Sequence, residues 1–156
     1  MSLEVKDGIH VLTLTNHKGE NTFTLDVMNE YLAALDVVEQ FEGNTALIIR
    51  CDHEKTFSTG INLQWLMSET EQNQKAFIRA FETLLYRLAL LNAPTVVCIN
   101  GNAYAGGAIL ASAADFRVMR SDRGRFCLPE VNINMTFPPV LLDIINLLPN
   151  KQALKH

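Results

Sequence analysis

Residues 9 to 16, IHVLTLTN, alternate apolar and polar positions, the period-two pattern of a strand with one buried face. NHKGEN follows as a turn. From Thr24, a residue type suited to an N-cap, Leu25, Met28, Leu32, Leu35 and Val38 recur at helical spacing. TALIIRC, residues 45 to 51, is a short β-branched run that reads as a buried strand, and DHEKTFSTG is a loop. A helix begins near Asn62. A longer one covers about 70 to 91, with Phe77, Phe81, Leu84, Leu85 and Leu88 on one face. PTVVCIN, 94 to 100, reads as a second buried strand. A glycine-bearing stretch, GNAYAGGAILASAAD, then opens a short helix reaching about Ala114. FRVMRS is a strand and RFCLPE a brief extended piece. Residues 138 to 148 return to helical pattern, with Pro138 and Pro139 suited to a first turn. Strands alternate with helices, so the chain is α/β. No low-complexity segment, linker or clear sequence repeat interrupts it.

Composition narrows this picture. At 156 residues and 48% hydrophobic, the chain reads as one domain, 1–156, with enough apolar material for a core. The formal net charge is −4 and the basic residues form no stripe, so neither nucleic acid nor an anionic membrane is an expected partner. An anionic ligand would have to be held by main-chain amides or a few placed basic side chains. Cys51, Cys98 and Cys127 are odd in number, lack a CxxC pairing and sit among apolar neighbours. They read as reduced structural residues of an intracellular, cytoplasmic protein. The opening MSLEVKDGIH has charges where a signal peptide is apolar, and no apolar run approaches the roughly 20 residues of a membrane span. Scattered histidines and cysteines imply no metal.

Two loops carry the candidate chemistry, FSTGINL at 57 to 63 and NAYAGGAIL at 102 to 110. Each contains glycine, follows a strand and opens a helix. Glycine lets a ligand approach the main chain closely, and a helix start leaves amide N–H groups without partners. Together the loops could aim two amides at one oxygen bearing negative charge, an oxyanion hole built from separate segments. Either loop alone could equally be a turn or a tight helix–strand contact. Neither matches the dinucleotide pattern GxGxxG or the phosphate-loop pattern GxxxxGK[ST].

KTFSTGINL, INGNAYAGGAILASAADFRV and FCLPEVNI resemble the signature segments of the crotonase family, the enoyl-CoA hydratases and isomerases. LTNHKGENTFTLDVMNEYLAAL resembles that family's first segment, an asparagine-containing turn before a long helix. The matches run in order across nearly the whole chain. The resemblance implies a spiral of ββα units and an acyl-CoA thioester as substrate, with no further cofactor. It places the two oxyanion-hole amides on Ile61 and Gly106, with Gly106 bare so that the thioester can reach its N–H. Ser58, Gly60, Ile61, Asn62, Leu63, Gly106 and Ile109 are the implied substrate-binding positions, Ser58 and Lys55 towards the nucleotide part of coenzyme A.

In enoyl-CoA hydratases two glutamates activate a water. The resemblance puts the first at Ile109 and the second at Glu130. Ile109 cannot move a proton, so ordinary hydration lacks one of its groups. A single carboxylate can instead shift a double bond from the 3- to the 2-position, taking a proton from C2 and returning one at C4. The implied catalytic set is Glu130, Ile61 and Gly106. If Phe126, Leu128 and Phe137 line the site, desolvation would raise the glutamate pKa. The expected activity is an enoyl-CoA isomerase of fatty-acid degradation. A hydratase or other thioester-enolate enzyme, and a non-catalytic acyl-CoA-binding protein, are the other readings; a serine protease is disfavoured because no serine has a partnering histidine.

The chain departs from the family pattern at Asn62, where aspartate is usual and asparagine could cap the next helix, and at NINMTFPPVLLD, which replaces a glycine-rich loop. Family members continue into helices that complete the acyl pocket and build a trimer or dimer of trimers. The chain is therefore expected to be truncated, lacking that C-terminal helical trimerisation region, with part of the pocket wall coming from residues 62 to 91.

Overall fold

The computed structural model describes residues 1–129 and 138–148. The chain opens with a hairpin of β1 (Ser2–Lys6) and β2 (Ile9–Leu14), which the sequence reading did not anticipate. Its signal is Asp7-Gly8. Both residues have positive φ (52° and 78°), as a two-residue hairpin turn requires to match the strand twist. Helix α1 (Leu25–Glu39) follows, with Thr24 Oγ1 accepting from Val27 N at 3.4 Å. Next come β3 (Ala46–Cys51), β4 (Thr56–Ser58), α2 (Leu63–Ser68) and α3 (Glu71–Ala89). Then β5 (Thr95–Ile99), β6 (Asn102–Tyr104), α4 (Gly106–Ser112), β7 (Phe116–Met119), β8 (Phe126–Cys127) and α5 (Pro139–Asn146).

These elements wind as the ββα spiral that the resemblance implied. In the opening turn β1 and β2 both lie in a five-stranded sheet, ordered β1-β2-β3-β5-β7; in each later turn the first strand joins that sheet and the second joins a three-stranded sheet, β4-β6-β8. Every pairing except β1–β2 is parallel. Parallel neighbours need a crossover, and the helices supply it.

One face of the larger sheet is dry. Leu12, Leu14, Leu47, Ile49, Val97 and Ile99 point from it towards Met28, Tyr31, Leu35 and Val38 of α1 and Phe77, Phe81, Leu84, Leu85 and Leu88 of α3, all within one buried cluster. The opposite face is only partly covered. TALIIRC therefore alternates rather than being buried on both sides: Leu47, Ile49 and Cys51 are buried, Ala46 and Ile48 half-buried and Arg50 exposed. Arg50 finds its use at the surface, where Nε donates to Thr13 Oγ1 at 3.1 Å. Among the described residues no helix is long and apolar enough to cross a membrane.

Candidate functional site

Strands β4 and β6 are parallel neighbours, so their carboxyl ends deliver the two glycine loops to the same edge of the small sheet. That edge is where open parallel sheets commonly place ligands. The loops meet at a distance only glycine allows. A Cβ on Gly60, whose φ is +82°, would lie 2.6 Å from Gly106 N and 3.0 Å from Gly106 Cα. A Cβ on Gly107 would lie 2.4 Å from the Ser58 carbonyl oxygen. One on Gly106 would press the Phe23 ring at 3.2 Å.

The main chain around this junction is fixed from several sides. Phe23 N donates to Gly60 O at 2.8 Å, and Asn62 N donates to Phe23 O at 3.0 Å, so Ile61 is bridged to Phe23. A trans peptide points its N–H opposite to its C=O. With Gly60 O turned to Phe23, the Ile61 N–H is directed away from it. In the second loop Ala105 N donates to Cys127 O at 3.0 Å, and Ile109 N donates to Ala105 O to begin α4. Ala105 sits at φ 48°, ψ −124°, a conformation that costs an alanine on the order of 1–3 kcal/mol. It is held there immediately before Gly106. Among the described residues, neither Ile61 N nor Gly106 N donates a hydrogen bond. Two main-chain donors without an acceptor among the described residues thus stand at the Gly60–Gly106 contact. Such groups need an acceptor, and an oxygen carrying partial or full negative charge satisfies both.

Side chains around the junction divide into supports and candidates for contact. Asn62 caps α2, its Oδ1 accepting from Trp65 N at 3.0 Å. Leu63, in the first turn of that helix, is 65% exposed, and Ile61 is half-buried against the core. The implied nucleotide contact of Ser58 is not available, because Ser58 is wholly buried. Its hydroxyl donates to Asn21 O at 2.9 Å and accepts from Gly60 N at 3.1 Å. Lys55 is exposed. Ile109 is 1% exposed and belongs to the core cluster, so the first turns of α4 present no acid at that position. Phe126 and Leu128 are half-buried against the same core. Glu130 and Phe137 lie outside the described residues.

Other groups hold α4 and the first loop. Arg117 Nη1 donates to the carbonyls of Ala111 and Ser112 at 3.3 Å and Ala114 at 2.7 Å, closing the carboxyl end of α4. Burial pulls the Arg117 guanidinium down from its ordinary pKa, offset in part by Asp115. Asn21 and Phe23 matter more here than the sequence reading recognised. Asn21 Nδ2 donates to Phe57 O at 2.9 Å and to Cys51 Sγ at 3.0 Å. Burial pushes the Cys51 thiol up, while the His53 amide and the Asn21 carboxamide donating to it act the other way. The sequence signal was an asparagine inside a turn, Asn21 adopting φ 51°. An open groove of about 400 Å³ between α2 and α3 is lined by Leu66, Glu71, Gln74, Lys75, Ile78 and Arg79. It lies on the segment expected to wall the acyl pocket, but no residue of the glycine loops lines it.

Comparison with known proteins places this geometry in context. A family model described as enoyl-CoA hydratase/isomerase matches residues 4–153. Enoyl-CoA delta isomerase 3 of Arabidopsis thaliana is 30% identical over 140 residues, 88% of this chain and 58% of that protein. Short-chain-enoyl-CoA hydratase of Clostridium acetobutylicum is 27% identical over 134 residues, 86% of this chain and 51% of its own length. The crystal structure of an enoyl-CoA hydratase/isomerase family protein from Pseudomonas syringae matches with a TM-score of 0.83 at 29% identity, over 99% of this chain and 65% of that one. The chain spans 51% and 58% of the length of the two curated relatives.

Proposed function

The chain belongs to the enoyl-CoA hydratase/isomerase family, and from that premise we propose that the complete protein moves the double bond of a 3-enoyl-CoA thioester to the 2-position. The observation that carries the reading is the Gly60–Gly106 junction with the unpaired Ile61 and Gly106 amides beside it. The thioester oxygen accepts from both. When a C2 proton leaves, negative charge moves onto that oxygen, and donors already in place stabilise the enolate without rearranging. One such donor is typically worth about a hundredfold to a thousandfold in rate.

Glu130 is the proposed acid/base, by resemblance. It takes the C2 proton and returns a proton at C4, so no second group is needed. Ile109 favours isomerisation over hydration, because a buried isoleucine neither holds nor activates a water. A homotrimer or dimer of trimers and a cytoplasmic setting belong to the same proposal.

The test is a coupled assay of the complete protein with a 3-enoyl-CoA, beside hydration of a 2-enoyl-CoA. Isomerisation that falls at least about a hundredfold in Glu130→Gln, with little hydration in either protein, supports the single-base reading. Strong hydration would mean that a second acid/base acts and that Ile109 misleads. Tight binding of coenzyme A thioesters with neither activity would identify a non-catalytic binder.

A further inference from the structure

Gly60 is flanked by two peptide planes, and each is pinned by one hydrogen bond. The plane before it is held by Gly60 N donating to Ser58 Oγ at 3.1 Å. The plane after it is held by Phe23 N donating to Gly60 O at 2.8 Å. Glycine is the residue with the most rotational freedom, so these two bonds decide where the Ile61 N–H points. Ser58 is also the residue against which the second loop packs. A Cβ on Gly107 would meet the Ser58 carbonyl oxygen at 2.4 Å and Ser58 Cβ at 2.9 Å. One side chain therefore hydrogen-bonds the loop that carries one donor while its own backbone and Cβ support the start of the helix that carries the other. Its far side is tied to Asn21 O at 2.9 Å, and the Asn21 carboxamide ties the preceding residue through Phe57 O at 2.9 Å.

We infer that Ser58 is a positioning residue, its hydroxyl fixing the Ile61 amide against Gly106 so that both donors meet one thioester oxygen. The inference rests on the function proposed above. The hydroxyl is not required to pair β4 with β6, which is done by main chain. Removing it leaves two groups in a buried place without partners, Gly60 N–H and Asn21 C=O. Gly60 can then swing to recover a partner, carrying the Ile61 N–H with it. Misplacing a reacting group by about 1 Å can cost on the order of a hundredfold in rate. The loss should appear in kcat, because the oxygen is held most tightly when it is charged, while contacts to the remainder of coenzyme A persist.

The experiment compares the complete wild-type protein with Ser58→Ala and Ser58→Cys, the latter keeping a weak donor and acceptor. Steady-state kinetics with a 3-enoyl-CoA are paired with near-ultraviolet spectra of a bound 3-ketoacyl-CoA, whose enolate absorbs there and reports polarisation of the oxygen without turnover. The expected result is a fall in kcat of about tenfold to a hundredfold in Ser58→Ala with KM changed less than about threefold. The enolate band should weaken at saturating ligand, and Ser58→Cys should recover part of both. An unchanged band and unchanged kcat in Ser58→Ala overturn the inference and leave the proposed function standing. Losses that track only the folded fraction, equal in both variants, also overturn it, in favour of a structural role. A wild-type protein that binds the ligand and shows no enolate band overturns the oxyanion-hole reading itself, and the inference with it.

Discussion

Replacing Gly60 by alanine tests the closest contact in the site, and Gly43 supplies a matched control. Both glycines have positive φ, +82° and +103°, so alanine at either place pays a backbone cost of about 1–2 kcal/mol. They differ in what the added methyl meets. At Gly43 nothing lies within 4 Å, whereas at Gly60 the carbon would lie 2.6 Å from Gly106 N. Ordinary contact begins at 3.4 Å, so the two loops must part by about 0.8 Å. Forcing such a carbon into a packed place costs roughly 1–3 kcal/mol more. Gly60→Ala should therefore lose about 2–5 kcal/mol against about 1–2 for Gly43→Ala. Urea unfolding followed by Trp65 fluorescence measures this. Trp65 is the chain's single tryptophan, and it packs edge-on against Phe77 with ring centroids 5.5 Å apart. Isomerisation should fall by about a hundredfold in Gly60→Ala and hold in Gly43→Ala, since the parting is close to the displacement at which positioned groups lose that much. If both variants unfold at the same urea concentration and turn over equally well, the loops do not stand at this separation and the shared-oxygen argument fails.

Two further outcomes follow from buried groups. Ile109→Glu puts a carboxylate where the chain is 1% exposed. Its stability deficit should be several kcal/mol at neutral pH, shrink as pH falls towards the ordinary glutamate value of about 4.3 and level off below it, because a raised folded-state pKa penalises only the ionised form. A deficit independent of pH in calorimetric scans would mean that the side chain escapes to solvent. Tyr31 is buried with its hydroxyl unpartnered among the described residues, and burial, with smaller contributions from Cys51 and Glu30, raises its phenol pKa far above the usual value. The unfolded chain ionises near pH 10 while the folded one resists, so wild-type stability is full below pH 10 and is lost above it. Tyr31→Phe should stay within about 1 kcal/mol of wild type at pH 7 and decline less steeply between pH 10 and 11; a loss above about 2 kcal/mol at pH 7 would reveal a partner for that hydroxyl.

Helices α1 and α3 were legible because their buried residues recur at helical period and because Thr24 and Thr70 cap them. The small sheet was not. Strands β4 and β6 are three residues each and β8 is two, too short to show a period, and they exist only through their register with one another. β1 was missed because its burial pattern is mostly exposed and shows no apolar alternation; Asp7-Gly8 is the one local signal of the turn that makes it a strand. In the site, the glycines were visible and resemblance put the donors on Ile61 and Gly106, but the ties that direct those amides were not visible. Residue letters specify side chains, whereas Ile61 and Gly106 offer backbone N–H groups whose direction comes from the nearby Ser58 and from Phe23 and Cys127, both distant in sequence. The resemblance made Ser58 an expected substrate contact, whereas in the fold it is buried and hydrogen-bonded to Asn21 and Gly60.

A site built from amides has an unusual relation to mutation. Every residue type except proline carries the same N–H, so substitution at position 61 cannot readily delete the donor. What drift can damage is the clearance at positions 60, 106 and 107 and the ties that aim the loop. In the proposed function, the half of the machinery that would polarise the thioester is in that sense nearly blind to sequence, while the groups that would choose the reaction are ordinary side chains. Under the proposed function, a change at a position such as 109 can redirect the reaction while the close contact of Gly60 with Gly106 stays as it is.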